Sequence, residues 1–137
     1  MTEPPIHAGC VAIRGVGVLI AGPSGSGKSD LALRLIERGG VLVSDDYTLL
    51  HVEAGTLHAT APATIAGRIE VRGLGIVDRP TIASIPVALF VEAGTPDRLP
   101  DPMTRTLAGI AIPAYRLALL EASAPAKIDL MLDRILR

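Results

Sequence analysis

The sequence predicts an α/β fold in which residues 1–137 form a single domain with a central mixed β-sheet flanked by helices. Short apolar runs of strand length, such as VGVLI and VALFV, are interspersed with two amphipathic stretches of helical period. The segment VLV at 41–43 is apolar throughout, as expected for a strand that is buried on both faces of a sheet. A chain of 137 residues is also long enough to bury one hydrophobic core without disulfides.

The first half of the chain predicts a hairpin followed by a helix and a buried strand. The glycines around position 15 suit a tight turn between two apolar runs. Apolar residues at helical spacing follow, and a Gly-Gly pair ends that pattern. The predicted elements are strands at 9–13 and 16–21, a helix at 29–40 and a strand at 41–43.

The second half predicts a meander of short strands closed by a helix. His51 and His58 fall in the meander, and without ligand spacing they are expected to be surface residues. The predicted strands are 47–53, 57–60, a glycine-broken 68–78, 85–93 and one or two within 109–122, with a proline-rich loop at 94–105 and a helix at 124–137.

Composition excludes several classes of protein. A net charge of −1 and an aromatic content of 2% argue against a nucleic-acid binder, which needs basic and stacking surfaces. The single cysteine, Cys10, cannot form an internal disulfide or build a metal cluster, and it is expected to be a small buried hydrophobe. Together with the lack of a signal core and of any ~20-residue apolar run, this predicts a cytoplasmic protein without membrane contact.

The segment GPSGSGKS has the spacing of a phosphate-binding P-loop and lies between an apolar strand and an amphipathic helix. Glycines let the backbone approach phosphate oxygens closely, and successive N–H groups then form an anion nest at the start of the helix. A lysine adds a positive charge for the β- and γ-phosphates, and a serine hydroxyl is a ligand for Mg²⁺. The predicted nucleotide-binding residues are Gly22, Pro23, Ser24, Gly25, Ser26, Gly27, Lys28 and Ser29.

Two adjacent acids, Asp45 and Asp46, follow the predicted strand at 41–43. In P-loop proteins the strand beside the loop often carries a carboxylate to the metal. Because neighbouring strand residues point to opposite faces, either the two acids have different roles or the chain bends between them. One is expected to hold Mg²⁺, directly or through water, and the other to accept a proton from an attacking hydroxyl.

Arg68, Glu70 and Arg72 recur at a spacing of two residues. On a strand all three face one side, which suggests the wall of a polar cleft. The arginine at 72 then neutralises phosphate, and the glutamate holds a second metal ion or the arginine itself. A solvated strand face with a cross-strand ion pair explains the same pattern, so the sequence leaves both interpretations open.

The stretch from IHAGCVAI through VLVSDD, followed by RIEVRGLGIVD, resembles the catalytic domain of HPr kinase/phosphorylase. The order and spacing agree from about His7 to Asp78, roughly half of the chain. Of these elements the EVRGLGIVD segment is the most specific. The resemblance is to a short form that lacks the separate N-terminal domain of typical members and has shortened C-terminal helices.

The resemblance implies a Mg²⁺- and ATP-dependent enzyme that phosphorylates a serine of a small HPr-like phosphocarrier protein of the bacterial phosphotransferase system. Phosphorolysis of the product and a hexameric homo-oligomer are also family features. By position, Asp45 is the proton acceptor with Asp46 beside it, and His7 lies near the active site. Arg72 is linked to phosphate, Arg98 is a further active-site arginine, and the metal-linked residues are Ser29, Asp46 and Glu70.

Two other functions are compatible with the P-loop. A small-molecule kinase usually closes an arginine-rich lid over the phosphates, and residues 94–106 are the one candidate for such a lid. A non-catalytic nucleotide-binding sensor is expected to have lost a metal ligand, whereas this chain keeps the lysine, the serine and both aspartates. The kinase of a protein serine is therefore the favoured hypothesis.

Overall fold

The computed structural model describes residues 4–137 and has the predicted mixed α/β architecture. The helices are α1 (Lys28–Glu37) and α2 (Ala124–Ile135). The strands are β1 (Ala8–Ile13), β2 (Val16–Ala21), β3 (Val41–Ser44), β4 (Leu49–Glu53), β5 (Thr56–Thr60), β6 (Arg68–Val71), β7 (Gly75–Asp78), β8 (Ile85–Ala93), β9 (Met103–Leu107) and β10 (Ile110–Leu117).

Eight strands form one mixed sheet whose main path is β3-β1-β2-β8-β10-β9. The central strand β8 runs parallel to β2 on one side and to β10 on the other, while the outer pairs are antiparallel. The β4–β5 hairpin joins the sheet through β5, which pairs with the start of β8. The ribbon β6–β7 forms a separate two-stranded sheet. Because β1 pairs antiparallel with both β2 and β3, the ends of these two strands lie at the same edge of the sheet, where the loop and the acid pair meet.

The two faces of the sheet bury different cores. Both helices pack on one face, where Leu31 of α1 and Ile128 of α2 are buried against Val18 and Leu89 of the sheet. The β4–β5 hairpin covers the other face, and Leu50 and Leu57 are buried there with Cys10 and Phe90. Burial raises the pKa of the Cys10 thiol to about 12, which confirms the expectation of a buried, apolar role for this residue. None of the helices in the described chain has the length and apolar character needed to span a membrane.

The structure corrects the predicted elements near the C-terminus. The loop predicted at 94–105 ends earlier, because Met103 already pairs with Ala114 at the start of the β9–β10 hairpin. The strand predicted to reach residue 122 ends at Leu117, and turns lead from there into α2. Ala108 and Gly109, in the turn between β9 and β10, both have positive φ. This two-residue turn sets the register of the two strands, which the polar sequence of β9 did not reveal.

His51 and His58 are partly exposed, but the expectation that they lack ligand spacing is wrong. Their side chains are 33% and 21% exposed, and the imidazole rings stack with centroids 5.4 Å apart. The cause is the turn at Ala54 and Gly55, which both have positive φ and make a two-residue hairpin loop. That loop fixes the register of β4 and β5 so that His51 lies directly opposite His58.

Candidate active site

The glycine-rich loop at 22–27 connects β2 to the first turn of α1, as the sequence predicted. Gly25 and Gly27 have φ of 84° and 102°, in the left-handed region that side chains disfavour. Gly27 is the N-cap of α1 and makes no side-chain cap hydrogen bond. The first N–H groups of a helix have no partners within the helix, so this end of α1 offers amide donors and a positive dipole to an anion.

Lys28, the first residue of α1, has only 7% of its surface exposed. Its Nζ donates hydrogen bonds to the carbonyl oxygens of Gly22 at 2.7 Å and Pro23 at 3.2 Å, and it lies 3.9 Å from Asp46 Oδ1. A buried ammonium group needs such partners because its desolvation is costly. The loop carbonyls and the acid therefore hold the lysine between the loop and the end of β3.

Asp45 links the acid pair to the loop. It follows β3, is 8% exposed, and accepts a hydrogen bond at 2.7 Å from the Ser29 hydroxyl to its Oδ1. Its Oδ2 accepts the backbone N–H of Glu70 at 2.9 Å, which ties the β6–β7 ribbon to the same point. Three segments that are far apart in the sequence thus converge on one carboxylate.

Asp46 points in a different direction from Asp45 because the chain bends after β3 ends at Ser44, and not because the two acids alternate along a strand. Its φ of 66° belongs to a turn closed by the hydrogen bond from Tyr47 N–H to the Asp45 carbonyl at 2.7 Å. The Asp46 side chain is 50% exposed and contacts His7 Nε2 at 2.9 Å. The ring of His7 stacks on Tyr47 with centroids 5.0 Å apart, and the adjacent Ile6–Thr48 bridge fixes the N-terminal segment beside the acids.

The glycine-rich loop, the acid pair and the β6–β7 ribbon line a cleft of about 700 Å³. Arg68 and Glu70 on β6 and Arg72 in the turn that follows all border it, which supports the cleft-wall interpretation. No ion pair links these three side chains to one another within residues 4–137. Arg72 reaches the loop, since its Nη2 lies 3.8 Å from the position a Cβ would take on Gly25. The predicted residues in the cleft lining are Ser24, Gly25, Gly27, Lys28, Ser29, Asp45, Asp46, Glu70 and Arg72.

Arg98 is not brought to this cleft. It is exposed in the segment between β8 and β9 and is not among the described residues of the lining. The polar, proline-rich sequence explains why this segment stays outside the core. Sequence reasoning also missed several lining residues, among them Tyr47 and Leu120. Tyr47 directly follows the two acids, so its place in the sequence could have indicated that it lines the cleft. Leu120 approaches Gly27 only through the tertiary packing of α2, which the sequence does not reveal.

Comparison with known families adds an independent line of evidence. Residues 2–84, more than half of the chain, match the model of the HPr serine kinase C-terminal domain. The chain belongs to this family. The match includes the loop, the acid pair and the β6–β7 ribbon, so the segments that build the cleft are the segments that carry the family pattern.

Relatives in this family come from several bacteria. An HPr kinase/phosphorylase of Clostridium novyi is 39% identical over 105 residues, which cover 70% of this chain and 34% of the relative. One from Limosilactobacillus reuteri is 38% identical over 123 residues, covering 79% of this chain and 38% of the relative. The chain therefore spans about a third of the length of these curated relatives.

A solved structure confirms the fold. The Hpr(Ser) kinase/phosphatase from Coxiella burnetii superposes with a TM-score of 0.84 at 28% sequence identity. The superposition covers 96% of this chain and 90% of the solved chain. The likeness therefore extends through β8, β9, β10 and α2, beyond the residues that match the family model.

Proposed function

We propose that this protein is an ATP- and Mg²⁺-dependent serine kinase that phosphorylates a small HPr-like phosphocarrier protein. The observation that carries the proposal is the 2.7 Å hydrogen bond between Ser29 and Asp45, which joins the phosphate-binding loop to the acid pair. Phosphoryl transfer requires positioning and charge stabilisation more than covalent chemistry. A loop for the phosphates next to a carboxylate for the acceptor hydroxyl meets that requirement.

The loop suits a nucleotide triphosphate. The amides at the start of α1 and the buried ammonium of Lys28 are the donors that phosphate oxygens bind. Position 27 of the loop is too close to its neighbours for a larger residue, because a Cβ on Gly27 would lie 2.7 Å from Leu120 Cδ2. In our proposal Lys28 exchanges the carbonyl oxygens of Gly22 and Pro23 for phosphate oxygens.

The hydroxyl and carboxylate groups suit Mg²⁺, which prefers oxygen ligands. Ser29 and Asp46, with Glu70 from the cleft wall, are the residues proposed to hold it, directly or through water. Bound there, Mg²⁺ would neutralise the charge that develops on the phosphoryl oxygens.

Asp45 is the proposed proton acceptor. Its Oδ1 already accepts a serine hydroxyl, that of Ser29, at a distance within the reach required of a general base. The Glu70 N–H holds the other oxygen and fixes the orientation of the carboxylate. In the forward direction Asp45 takes the proton of the carrier's serine, and in a phosphorolysis direction it returns that proton.

His7 and Arg72 have supporting roles in this proposal. His7 contacts Asp46 and keeps that carboxylate beside Lys28. Arg72 lies over the loop at Gly25 and adds a second positive charge for the transferred phosphoryl group. A homo-oligomer, the hexamer of the family resemblance, stays a prediction, as does a role for Arg98.

The test is to incubate the full chain with Mg²⁺ and γ-labelled ATP together with a panel of small proteins that includes HPr-like carriers. We expect label on one carrier, mapped to a serine. Asp45→Asn should still bind ATP but lose transfer by roughly 100-fold or more, because general-base catalysis contributes factors of that order.

Three results contradict parts of the proposal. Label on a sugar or nucleotide but on no protein identifies a small-molecule kinase. ATP binding without any transfer identifies a sensor. Unchanged transfer in Asp45→Asn, with loss in Asp46→Asn, moves the role of proton acceptor to the neighbouring acid.

A further inference from the structure

A second group of metal-ligating side chains lies outside the cleft, on the β4–β5 hairpin. His51, Glu53 and His58 place their side-chain ligand atoms within 4.8 Å of one another. We call these three residues the hairpin cluster. The proposed kinase chemistry does not use them.

The hairpin register creates the hairpin cluster. Leu50, Leu57 and Ala59 are buried in the core beneath the hairpin. Because side chains alternate along a strand, His51 and Glu53 of β4 lie on the opposite, outer face. Direct pairing of His51 with His58 across the hairpin brings the second imidazole to the same face.

The distances within the hairpin cluster suit a shared metal ion better than direct hydrogen bonds. The Glu53 Oε2 atom lies 3.6 Å from His51 Nε2 and 3.7 Å from His58 Nε2. Both distances exceed the usual range of a hydrogen bond between nitrogen and oxygen. Two ligand atoms on one tetrahedral Zn²⁺ ion are ~3.4 Å apart, given metal–ligand bonds of ~2.0–2.2 Å. The two distances from Glu53 are within a few tenths of an ångström of that value, and all three ligand atoms lie within 4.8 Å of one another.

The chemistry of the ligands selects the metal. Two imidazole nitrogens and one carboxylate oxygen form a donor set that favours Zn²⁺ and similar transition-metal ions over Mg²⁺, which prefers oxygen. We propose that the hairpin cluster binds one Zn²⁺ ion through His51, His58 and Glu53, separately from the nucleotide cleft. Partial burial holds the imidazoles of His51 and His58 in place, since they are only 33% and 21% exposed. The Glu53 side chain is 64% exposed, so the metal site is open on that side.

Metal binding at this position would join β4 to β5 and stabilise the folded hairpin, since a ligand that binds only the folded state raises its stability. The hairpin covers the face of the sheet that contains Cys10 and Phe90, so the stabilised element is part of the core and not a free loop.

The test is calorimetric titration of the metal-free full chain with ZnCl₂ in the presence of excess Mg²⁺. We expect one Zn²⁺ per chain. His51→Gln and His58→Gln should each weaken binding by at least roughly 10-fold, since even changes outside the ligand set cost 10- to 100-fold in metal affinity. The matched control is His7→Gln, which removes the chain's third histidine and should bind Zn²⁺ as the wild type does.

A second readout is the Zn²⁺-dependent rise in melting temperature, which should disappear in His51→Gln and His58→Gln. Should either histidine variant fail to fold by circular dichroism, Glu53→Gln provides the decisive variant, because its exposed side chain is not part of the core. The proposal is overturned if the wild type takes up no Zn²⁺, if His51→Gln and His58→Gln bind it normally, or if His7→Gln alone abolishes binding.

Discussion

The cleft and the hairpin cluster both bring histidine and carboxylate side chains together, but they are assembled in opposite ways. The cleft collects Lys28, Asp45 and Glu70 from segments spread over more than 40 positions of the chain, and His7 contacts the lining residue Asp46 from the N-terminal segment. The hairpin cluster lies within eight positions, 51–58, and depends on one turn. In the cleft, carboxylates are joined to their neighbours by hydrogen bonds of 2.7–2.9 Å, whereas the hairpin cluster keeps its ligand atoms at 3.6–3.7 Å.

This difference explains why the two regions suit different ligands. An oxygen-rich cleft with a buried ammonium and a helix N-terminus is built for phosphate and a hard cation. A pair of imidazoles with one carboxylate is built for a transition-metal ion. Because the two sets share no residue, changes in one region should leave ligand binding in the other intact.

The largest expected effect comes from removing the lysine of the cleft. Lys28→Ala deletes the buried ammonium that charged phosphate oxygens would bind, and we expect nucleotide affinity to fall by roughly 100-fold, about 3 kcal/mol. The nucleotide affinity is measured by titration with a fluorescent ATP analogue. Lys127→Ala is the matched control, because the chain's other lysine is exposed and bonds only to Glu121 among its described contacts.

The lysine variant also tests the separation of the two regions. Lys28→Ala should keep wild-type Zn²⁺ binding at the hairpin cluster. If it loses Zn²⁺ as well as nucleotide while remaining folded, the two regions are coupled, and the comparison drawn from their separate residues is wrong.

A smaller effect is expected from a pair of glycine substitutions, one in each region. Gly27→Ala and Gly55→Ala both place a side chain at positive φ, 102° and 78°, so each should lower the free energy of unfolding by about 1–2 kcal/mol. The Cβ at position 55 meets nothing within 4 Å, whereas that at 27 meets Leu120. Only Gly27→Ala should weaken nucleotide binding, by roughly 10-fold, because it redirects amides at the start of α1.

Urea denaturation and analogue binding on the same two variants separate stability from function. Equal nucleotide affinity for Gly27→Ala and Gly55→Ala would show that the left-handed backbone of the loop does not shape the phosphate site.

The sequence was sufficient to predict the loop, its flanking strand and helix and the acid pair, but it left open whether Arg68, Glu70 and Arg72 form the wall of a cleft. These features depend on the spacing of residues that are close in the sequence, and the spacing of Gly22–Ser29 is specific to a phosphate-binding loop. The bond from Ser29 to Asp45 was beyond prediction from sequence, since it depends on β3 lying beside β1 in the sheet. The approach of Leu120 to Gly27 likewise depends on how α2 packs.

The hairpin cluster was missed for a different reason. The meander and its turn were predicted, but the register was not worked out. A two-residue turn at 54 and 55 is sufficient to place His51 opposite His58, so the juxtaposition was within reach of the sequence. Arg98 shows the opposite limit: a matching three-residue segment did not place this side chain in the cleft lining, and its role stays a prediction.

The most direct test of the proposed kinase site is a crystal structure of the full chain with Mg²⁺ and a non-hydrolysable ATP analogue. We expect the triphosphate to lie against residues 22–29, with Lys28 Nζ moved from the carbonyl oxygens of Gly22 and Pro23 to a phosphate oxygen. An analogue bound elsewhere, with Lys28 still on those carbonyl oxygens, would contradict the account.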